Sequence, residues 1–299
     1  MLIVAGPTAS GKTDLALVLA ATFDAEIVGA DSRQIYREMS IGTAAPSDAA
    51  RANIPHHVIG FLDPHERYSA ARYVRDAIAA IDDIQARGKR AIVVGGTGFY
   101  LRALAGDVAL LAAYDAPLRA RLVDEARLHG AEFLAAWLHA LDPVRAAAIE
   151  PTDRYRVSRA LEVALAARTG ATHADASDAL PTLRTRGIPY RKAYLDIAAD
   201  VLETRIRERI DTMLARGFLA EAEQVGLNAV ASDAVGYREA LAYLAGWSTQ
   251  RELRVQLARN TRRYAKRQAT WFRTEPDITH LPADPAAWHA LAREIPGWA

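Results

Sequence analysis

The sequence predicts an α/β protein: a P-loop-type parallel sheet flanked by helices, with a helical insertion domain and a helical carboxyl-terminal region. Three observations support this class. Short apolar runs alternate with helical patterns through the first 105 residues, and the first run leads directly into a glycine-rich loop. The apolar runs are continuous, which suits strands of a parallel sheet buried on both faces. From about residue 115, Ala- and Arg-rich segments follow with helical spacing.

The first half of the chain contains the predicted sheet. Apolar runs predict strands at 2–5, 26–30 and 91–94, and a weaker one at 57–59. Helical spacing predicts helices at 14–22 and 73–87, with Gly88 placed to end the second. This order of strands and helices is the one expected for repeated βαβ units.

The second half predicts an insertion followed by a return to the sheet. Helical patterns run to residue 168 with breaks at Gly130 and at Asp142-Pro143, and 169–189 has the composition of a loop. A returning strand is predicted at 193–197, and the remainder is mostly helical. We therefore expect three segments, namely a first part of the core, a helical insertion, and a core return with carboxyl-terminal helices, at 1–112, 113–180 and 181–299.

Composition excludes several classes of site. The chain of 299 residues contains no cysteine, which rules out disulfides, cysteine-ligated zinc and a cysteine nucleophile. No apolar run approaches the ~20 residues of a membrane span, and the amino-terminal apolar stretch is too short for a signal peptide. We expect a cytoplasmic protein that does not contact a membrane. The net charge is only +1, so a polyanion would need a local basic patch.

The glycine-rich loop fits a phosphate-binding pattern. Residues 6–13 read GPTASGKT, two glycines four residues apart and then Lys12 and Thr13. Small residues let backbone N–H groups surround a phosphate at the start of a helix. Lys12 would add charge, and the Thr13 hydroxyl could reach Mg²⁺. A bound di- or triphosphate is therefore predicted; the alternative is a glycine turn with a solvated lysine.

Two further segments follow predicted strands at the same edge of the sheet. Asp31 follows the second strand, where its carboxylate could accept a proton or hold magnesium through water. The alternative is a helix N-cap. The strand at 91–94 ends in Gly95, Gly96 and Thr97 rather than in an acidic residue. This indicates either backbone close to a substrate beside a hydroxyl, or a tight strand-to-helix turn.

A basic segment near the carboxyl terminus predicts contact with nucleic acid. Residues 251–273 contain seven Arg and one Lys against Glu252 alone, a local balance of +7. Tyr264, Trp271 and Phe272 lie among them, and rings can stack on bases while cations neutralise phosphates. A solvated helical face is the alternative, although such a face usually mixes charges. We expect His56 and His57 to have a structural role rather than to bind a metal. The methionines and tryptophans are expected to fill the core.

Together these motifs resemble the tRNA dimethylallyltransferase family, also called tRNA isopentenyltransferases. The matching segments cover nearly the whole chain in the family's order. They are GPTASGKT (6–13), DSRQIYREMSIGTAAPS (31–47), PHHVIG (55–60), GGTGFYL (95–101), DRYRVSRALEV (153–163), RIRERIDTMLARGF (205–218), AVGYRE (234–239) and RRYAKRQATWFR (262–273). The chain departs from the family around 169–190, which is only loosely similar, and at 224–233, which is short.

The resemblance implies transfer of a dimethylallyl group from dimethylallyl diphosphate to the exocyclic amine of the adenosine just 3′ of a tRNA anticodon. The partners it implies are the tRNA anticodon stem-loop and dimethylallyl diphosphate, with Mg²⁺ as cofactor, and we expect a monomer. The implied catalytic residues are Asp31 as proton acceptor, Lys12, Thr13 (also the metal ligand), Arg205 on the diphosphate and Thr97 near the base.

The resemblance also implies two larger sets of binding residues. The diphosphate would contact Gly6, Pro7, Thr8, Ala9, Ser10, Gly11, Lys12 and Thr13. The tRNA would contact Asp31, Ser32, Arg33, Gln34, Thr97, Arg119, Tyr155, Arg156, Val157, Ser158, Arg159, Ala234, Val235, Gly236, Tyr237, Arg238, Lys266, Arg267, Gln268, Ala269, Thr270, Trp271, Phe272 and Arg273.

Three other classes share parts of this pattern. A P-loop kinase of a small metabolite would share the loop and Asp31 but would not need the basic segment. A free-adenylate isopentenyltransferase would need neither that segment nor the insertion. A non-catalytic RNA-binding module would not need the intact lysine, threonine and aspartate.

Overall fold

A computed structural model describes residues 1–108, 110, 116–168 and 180–298. The chain divides into two compact units. We call Met1–Val108 together with Leu180–Ala299 the core unit, and Ala109–Ala179 the insertion unit. Among the described residues, no helix has both the length and the apolar character needed to cross a membrane.

The core unit is built on a six-stranded sheet in which every pairing is parallel, in the order β3-β2-β4-β1-β5-β6. This confirms the predicted parallel sheet. The strands are β1 Leu2–Ala5, β2 Ala25–Gly29, β3 His56–His57, β4 Arg90–Gly95, β5 Arg191–Leu195 and β6 Ile278–Leu281. The predicted strand at 57–59 is in fact a two-residue edge strand one position earlier, β5 starts two residues before its predicted position, and β6 was not predicted.

Twelve α-helices complete the described part of the chain. They are α1 Lys12–Thr22, α2 Asp48–Asn53, α3 Ala70–Ala86, α4 Gly98–Ala105, α5 Ala116–Leu141, α6 Pro143–Ala147, α7 Arg154–Arg168, α8 Ala199–Ala215, α9 Phe218–Val225, α10 Tyr237–Leu244, α11 Gln250–Phe272 and α12 Pro285–Arg293. A short 3₁₀ helix spans Val230–Asp233.

Two clusters of buried apolar side chains stabilise the core unit. In the first, β1 and α1 pack with Trp288 of α12 and with Trp298. In the second, Met39 packs with residues of α8 to α11, including Phe218 and Tyr237. The predicted core position of the tryptophans holds for Trp288 and Trp298 but is wrong for Trp247, which is 83% exposed in the turn between α10 and α11.

The insertion unit contains α5, α6 and α7, packed around Leu122, Leu134, Leu138 and Leu161. The predicted breaks are present, because the backbone of Gly130 is non-helical within α5 and Asp142 caps α6. Most of the predicted loop at 169–189 lies outside the described residues.

The core unit holds the two ends of the chain that flank the insertion close together. Leu183 N donates to Leu104 O at 2.9 Å. A Cβ placed on Gly106 would lie 2.7 Å from the Thr182 hydroxyl oxygen. The insertion therefore leaves and rejoins the core at neighbouring points.

Candidate active site

The phosphate loop joins the end of β1 to the start of α1. Ser10 N donates to Pro7 O at 3.2 Å, which closes a turn inside the loop. Gly11 has φ of 90° at the helix start, a conformation that favours glycine. The amino end of α1, with its unpaired N–H groups, therefore follows the loop as in an anion-binding site.

Three cationic side chains surround this loop. Lys12 Nζ donates to Pro7 O at 3.3 Å. Two arginines of α8 contact the loop from the other side: Arg205 donates to Ser10 O at 2.5 Å, and Arg209 donates to the Thr8 hydroxyl at 2.8 Å. Arg209 was not among the predicted site residues. Its spacing of four from Arg205 was the available signal, because residues i and i+4 share one helix face.

Burial makes the positive charge of this site costly. It lowers the pKa of Lys12 to about 8, with Arg209 lowering it further and Asp31 opposing the shift. The pKa of Arg209 is also lowered by burial, with Asp31 opposing. A bound anion would offset this cost, since an opposite charge favours the protonated forms.

Asp31 is held at the carboxyl end of β2 by its own turn. Its Oδ1 accepts from Arg33 N at 2.9 Å. Residues 32–35 form turns rather than a helix, so the alternative interpretation of Asp31 as a helix N-cap is wrong. One carboxylate oxygen is thus occupied, and Asp31 lines a small cavity together with Lys12 and Thr13.

Thr97 connects the end of β4 to the segment that contains Asp31. Its hydroxyl oxygen accepts from Ser32 N at 3.0 Å, and Thr97 N donates to Ala30 O at 3.2 Å. The tight turn needs glycine before it, because a Cβ on Gly95 would lie 2.0 Å from Ala30 O. The interpretation of 93–98 as a tight strand-to-helix turn is therefore confirmed, whereas the close approach of this backbone to a substrate stays a prediction.

A cleft of about 170 Å³ opens beside this cluster. Arg33 spans one side of it in a two-point ion pair with Asp233, at 2.5 and 3.0 Å. The cleft brings together residues from three predicted tRNA segments, at 31–34, 234–238 and 266–273. It is also lined by Thr8 of the phosphate loop and by Arg209, which donates to Thr8. Its polar lining includes Thr8, Asp31, Ser32, Arg33, Arg209, Asp233, Tyr264 and Arg267.

Several predicted tRNA residues have buried side chains instead. Tyr237 is fully buried and its hydroxyl donates to Glu221 at 2.7 Å, while Phe272 packs on Tyr194. We assign to the interior, rather than to an RNA surface, the side chains of Val157, Ala234, Tyr237, Gln268 and Phe272. Gln34 is also engaged inside the protein, since its amide donates to the carbonyls of Thr43 and Ala44 at 3.1 Å.

The basic helix α11 has two kinds of cation. Arg254 is paired with Asp211, and Arg262 with Glu203 at 3.3 Å. A second set is exposed and shows no ion pair among the described residues; in and directly after α11 it comprises Arg251, Arg259, Arg263, Lys266, Arg267 and Arg273, and Arg238 of α10 has the same properties. Trp271 does not project to solvent as a stacking platform would, because Arg102 lies 4.5 Å from its ring centre and a Cβ on Gly98 would clash with it.

The insertion unit contains its own predicted tRNA residues. Arg119 lies 5.3 Å from the ring centre of Tyr155, which is 67% exposed. Arg159 pairs with Glu162 at 2.6 Å, and Arg156 is exposed. The contact between Arg119 and Tyr155 therefore joins a cation and an aromatic ring at the surface of this unit, whereas Arg156 and Arg159 pair with Asp153 and Glu162.

The two histidines make structural contacts, as the sequence analysis expected. His57 Nε2 lies 2.7 Å from the Glu26 carboxylate, and His56 Nδ1 lies 2.6 Å from Ile54 O. Hydrogen bonding to Arg87 lowers the pKa of Glu26 to about 2, with burial opposing and His57 assisting. Within the part of the chain that the structure describes, no group of three or more His, Cys, Asp or Glu side chains could hold a metal ion.

Two family models match this chain. The model described as "IPP transferase" matches residues 34–275, which include β3, β4, β5, the insertion and α11. The model described as "Isopentenyl transferase" matches residues 1–59, which include the phosphate loop and Asp31.

Curated proteins and solved structures resemble the chain over most of its length. It is 44% identical to the tRNA dimethylallyltransferase of Geobacter sulfurreducens, covering 93% of this chain and 90% of the relative. It is 44% identical to that of Roseiflexus castenholzii, covering 95% and 93%. The full-length tRNA isopentenylpyrophosphate transferase of Bacillus halodurans superposes with a TM-score of 0.66 at 35% identity, over 94% and 89% of the chains. A eukaryotic dimethylallyltransferase acting on tRNA gives 0.76 at 28% identity, over 98% and 76%.

Proposed function

The chain belongs to the IPP transferase family, and on that premise we propose that it prenylates tRNA. The reaction is transfer of a dimethylallyl group from dimethylallyl diphosphate to the exocyclic amine of the adenosine 3′ of the anticodon, with release of diphosphate. The observation that supports it best is the convergence of the phosphate loop, Asp31 and the exposed basic helix α11 on one cleft.

The cations of the phosphate loop suit a diphosphate leaving group. As the allylic carbon–oxygen bond breaks, negative charge grows on the diphosphate, and fixed donors lower the barrier where that charge develops. Lys12, Arg205 and Arg209 already face the loop with their charges only partly balanced. Their side chains would therefore stabilise the leaving group more strongly than the intact donor.

Asp31 suits the acceptor end of the same reaction. The new carbon–nitrogen bond leaves the amine with one proton too many, and a carboxylate within reach can take that proton. The turn at Arg33 and the contact of Thr97 with Ser32 fix the backbone that follows Asp31, and Thr97 N donates to Ala30 O just before it. We propose Asp31 as the proton acceptor and Thr97 as the residue that orients its segment.

The residues present also fit a magnesium ion. Thr13, Asp31 and Gln34 line one small cavity, their side chains contain oxygen atoms, and Mg²⁺ prefers oxygen ligands from one or two side chains plus phosphates and water. Thr13 would hold the ion, with Asp31 acting through water. When bound, the ion would neutralise part of the charge on the diphosphate.

The acceptor base has to leave its stack to reach Asp31. Flipping a loop base costs a few kcal/mol, which contacts to neighbouring phosphates can offset. We propose that Arg33, Arg238 and the exposed cations of α11 provide those contacts in the core unit. Arg119 and Arg156 of the insertion unit are separate proposed contacts to tRNA. The cytoplasmic location and the monomeric state stay predictions.

A product assay tests the proposal against the alternatives. Purified protein is incubated with dimethylallyl diphosphate, Mg²⁺ and one of three acceptors: a tRNA with adenosine 3′ of the anticodon, the same tRNA with guanosine there, or free AMP. We expect prenylated adenosine only from the first, by mass analysis of nucleosides. Product from AMP would favour the free-adenylate enzyme, and ATP turnover without RNA would favour the kinase.

Replacing Asp31 tests the proposed proton acceptor. Asp31→Ala should lower turnover by about 10²–10⁴-fold, the usual contribution of a general base, while the dissociation constant for tRNA changes much less. Asp14→Ala is the matched control, because Asp14 is exposed in the first turn of α1. Near-normal turnover of the Asp31 variant would remove Asp31 from the mechanism.

A further inference from the structure

A buried glutamine connects the basic helix to two walls of the site. Gln268 of α11 is 5% exposed. Its Oε1 accepts from Thr8 N at 2.8 Å, and its Nε2 donates to Gly96 O at 3.0 Å. The orientation of the amide is fixed, since a backbone N–H can only donate and a carbonyl can only accept.

The two partners of this amide belong to opposite ends of the proposed reaction. Thr8 lies in the phosphate loop, where its hydroxyl also accepts from Arg209. Gly96 immediately precedes Thr97, which holds the Asp31 segment through Ser32. The side chain of Gln268 therefore lies between the loop for the diphosphate and the turn for the acceptor.

Close packing around Gln268 restricts the position of its side-chain amide. A Cβ on Gly96 would lie 2.1 Å from Gln268 Nε2 and 3.1 Å from Gly6 O. Glycine at position 96 lets the amide approach the turn, and it also brings the turn close to the loop. An apolar side chain in place of Gln268 would leave a buried N–H and a buried C=O without partners, which is costly for each group.

We propose that Gln268 is a positioning residue that sets the separation between the phosphate loop and the Thr97 turn. Given the proposed function, this separation controls how closely the acceptor amine approaches the allylic carbon. Misplacement by about 1 Å can cost about 10²-fold in rate. Gln268 thus acts on the chemical step through Thr8 and Gly96, and it does not touch RNA.

Single-turnover kinetics with saturating tRNA and donor test this role. Gln268→Met keeps the size of the side chain but removes both hydrogen bonds, and we expect the rate of the chemical step to fall about 10–100-fold. The dissociation constant for tRNA should change less than about threefold, because this side chain contacts no phosphate. Gln256→Met, at an exposed position of the same helix, is the control and should match the wild type.

Gln268→Glu provides a signature that loss of stability alone would not produce. An ionised glutamate accepts from Thr8 but cannot donate to Gly96, whereas the protonated acid can make both bonds. Burial raises the pKa of such a carboxyl. The rate of this variant relative to wild type should therefore rise up to about tenfold per pH unit as the pH falls from 8 to 6. Lys12, Arg209 and Asp31 lie near the loop in both proteins, so the ratio removes their titration.

The outcomes separate failure of this proposal from failure of the proposed function. Wild-type protein that makes no prenylated tRNA contradicts the function itself. The positioning role is overturned if the wild type is active and Gln268→Met has an unchanged rate of the chemical step. This holds whether or not the variant binds tRNA more weakly. Melting curves are recorded for each variant; should Gln268→Met not fold, a rate ratio for Gln268→Glu that is well below one and does not change with pH overturns the proposal on its own.

Discussion

The positive charge of Lys12 is energetically unfavourable in the protein without a bound anion, because the side chain is desolvated. Burial lowers its pKa to about 8, so above that pH the side chain is largely neutral until an anion arrives. Binding of a diphosphate restores the charge and takes up a proton. We expect the affinity for inorganic pyrophosphate to fall by up to about tenfold per pH unit above pH 8.

Calorimetry in two buffers of different ionisation enthalpy measures this proton uptake directly. Lys12→Met should bind pyrophosphate more weakly and show less uptake at pH 9. Lys89→Met, at an exposed ion pair with Asp24, serves as the matched control. Equal proton uptake by the wild type and the Lys12 variant at pH 9 would show that another group is responsible.

The site residues that could be predicted from the sequence are those that belong to a short contiguous motif or directly follow a predicted strand. The glycines, Lys12 and Thr13 form one contiguous pattern, and Asp31 directly follows an apolar strand. Arg209 and Gln268 reach the loop from 201 and 260 residues away, so only tertiary structure shows what they contact. Gln268 also lies within 266–273, the segment to which the family resemblance assigns tRNA contacts, although its side chain is buried.

At the scale of elements, a buried cluster of ion pairs connects β5 to the segment after α4 and to the segment after α11. Lys192 Nζ donates to Asp107 at 2.8 Å and to Glu275 at 2.9 Å, and Arg102 donates to Glu275 at 2.7 Å. Burial opposes the charge of Lys192, but its two hydrogen bonds raise its pKa overall. Burial likewise opposes the ionisation of Asp107, yet its bonds to Lys192 and Arg184 lower its pKa.

Removal of the lysine should therefore leave two carboxylates without their shared partner. We expect Lys192→Met to lower the free energy of unfolding at pH 7 by about 1.5–3 kcal/mol, because its charged hydrogen bonds are lost while Arg184 and Arg102 stay on Asp107 and Glu275. The ionised Asp107 stabilises the wild type above its unfolded pKa, and this contribution is lost as the pH falls. The difference in stability between the variant and the wild type should shrink towards pH 5, because without Lys192 the pKa of Asp107 is lowered less and its carboxylate takes up a proton at a higher pH.

Urea unfolding at pH 7 and pH 5 measures both effects. Lys89→Met is again the control, since an exposed pair contributes under about 1 kcal/mol. A deficit that is small at pH 7, or equal at the two pH values, would contradict the assigned role of this cluster.

The elements that the sequence analysis predicted well are those with a strong apolar run or a clear break. β1 and β2 are buried throughout and β4 is buried after its first residue, Arg90. Apart from Arg90 and Glu26, these strands are continuous apolar segments. β6 was missed because it is an edge strand in which Thr279 and His280 are exposed between two partly buried residues. Its pairing with β5 supplies a stability that its own composition does not indicate.

At the scale of the whole molecule, the basic surface of α11 should govern how salt affects tRNA binding. Each neutralised phosphate releases counterions, so removing one contact lowers the magnitude of the log–log salt slope by about 1. We expect this for Lys266→Ala and Arg263→Ala, whose cations show no ion pair in the described residues. Arg254→Ala should change the slope less, because Asp211 already neutralises that guanidinium.

Titrations of tRNA binding at several salt concentrations distinguish the two kinds of arginine. Single-turnover rates at saturating tRNA should survive in all three variants, since these side chains position RNA away from the reacting amine. Identical slopes for the wild type and the Lys266 and Arg263 variants would make α11 a solvated face and move the RNA contacts elsewhere.

The sheet order has a consequence for how the chain folds as it is synthesised. β1 is an inner strand that pairs with β4 on one side and with β5 on the other. β5 begins at Arg191, which is 186 residues after β1 ends at Ala5. At 5–20 residues per second, β1 waits about 10–40 seconds for that second neighbour. During this interval an apolar strand edge stays open to other nascent chains. A protein with this topology depends on shielding by chaperones more than one whose strands pair in sequence, and a slow translation pause within 109–190 would lengthen that dependence.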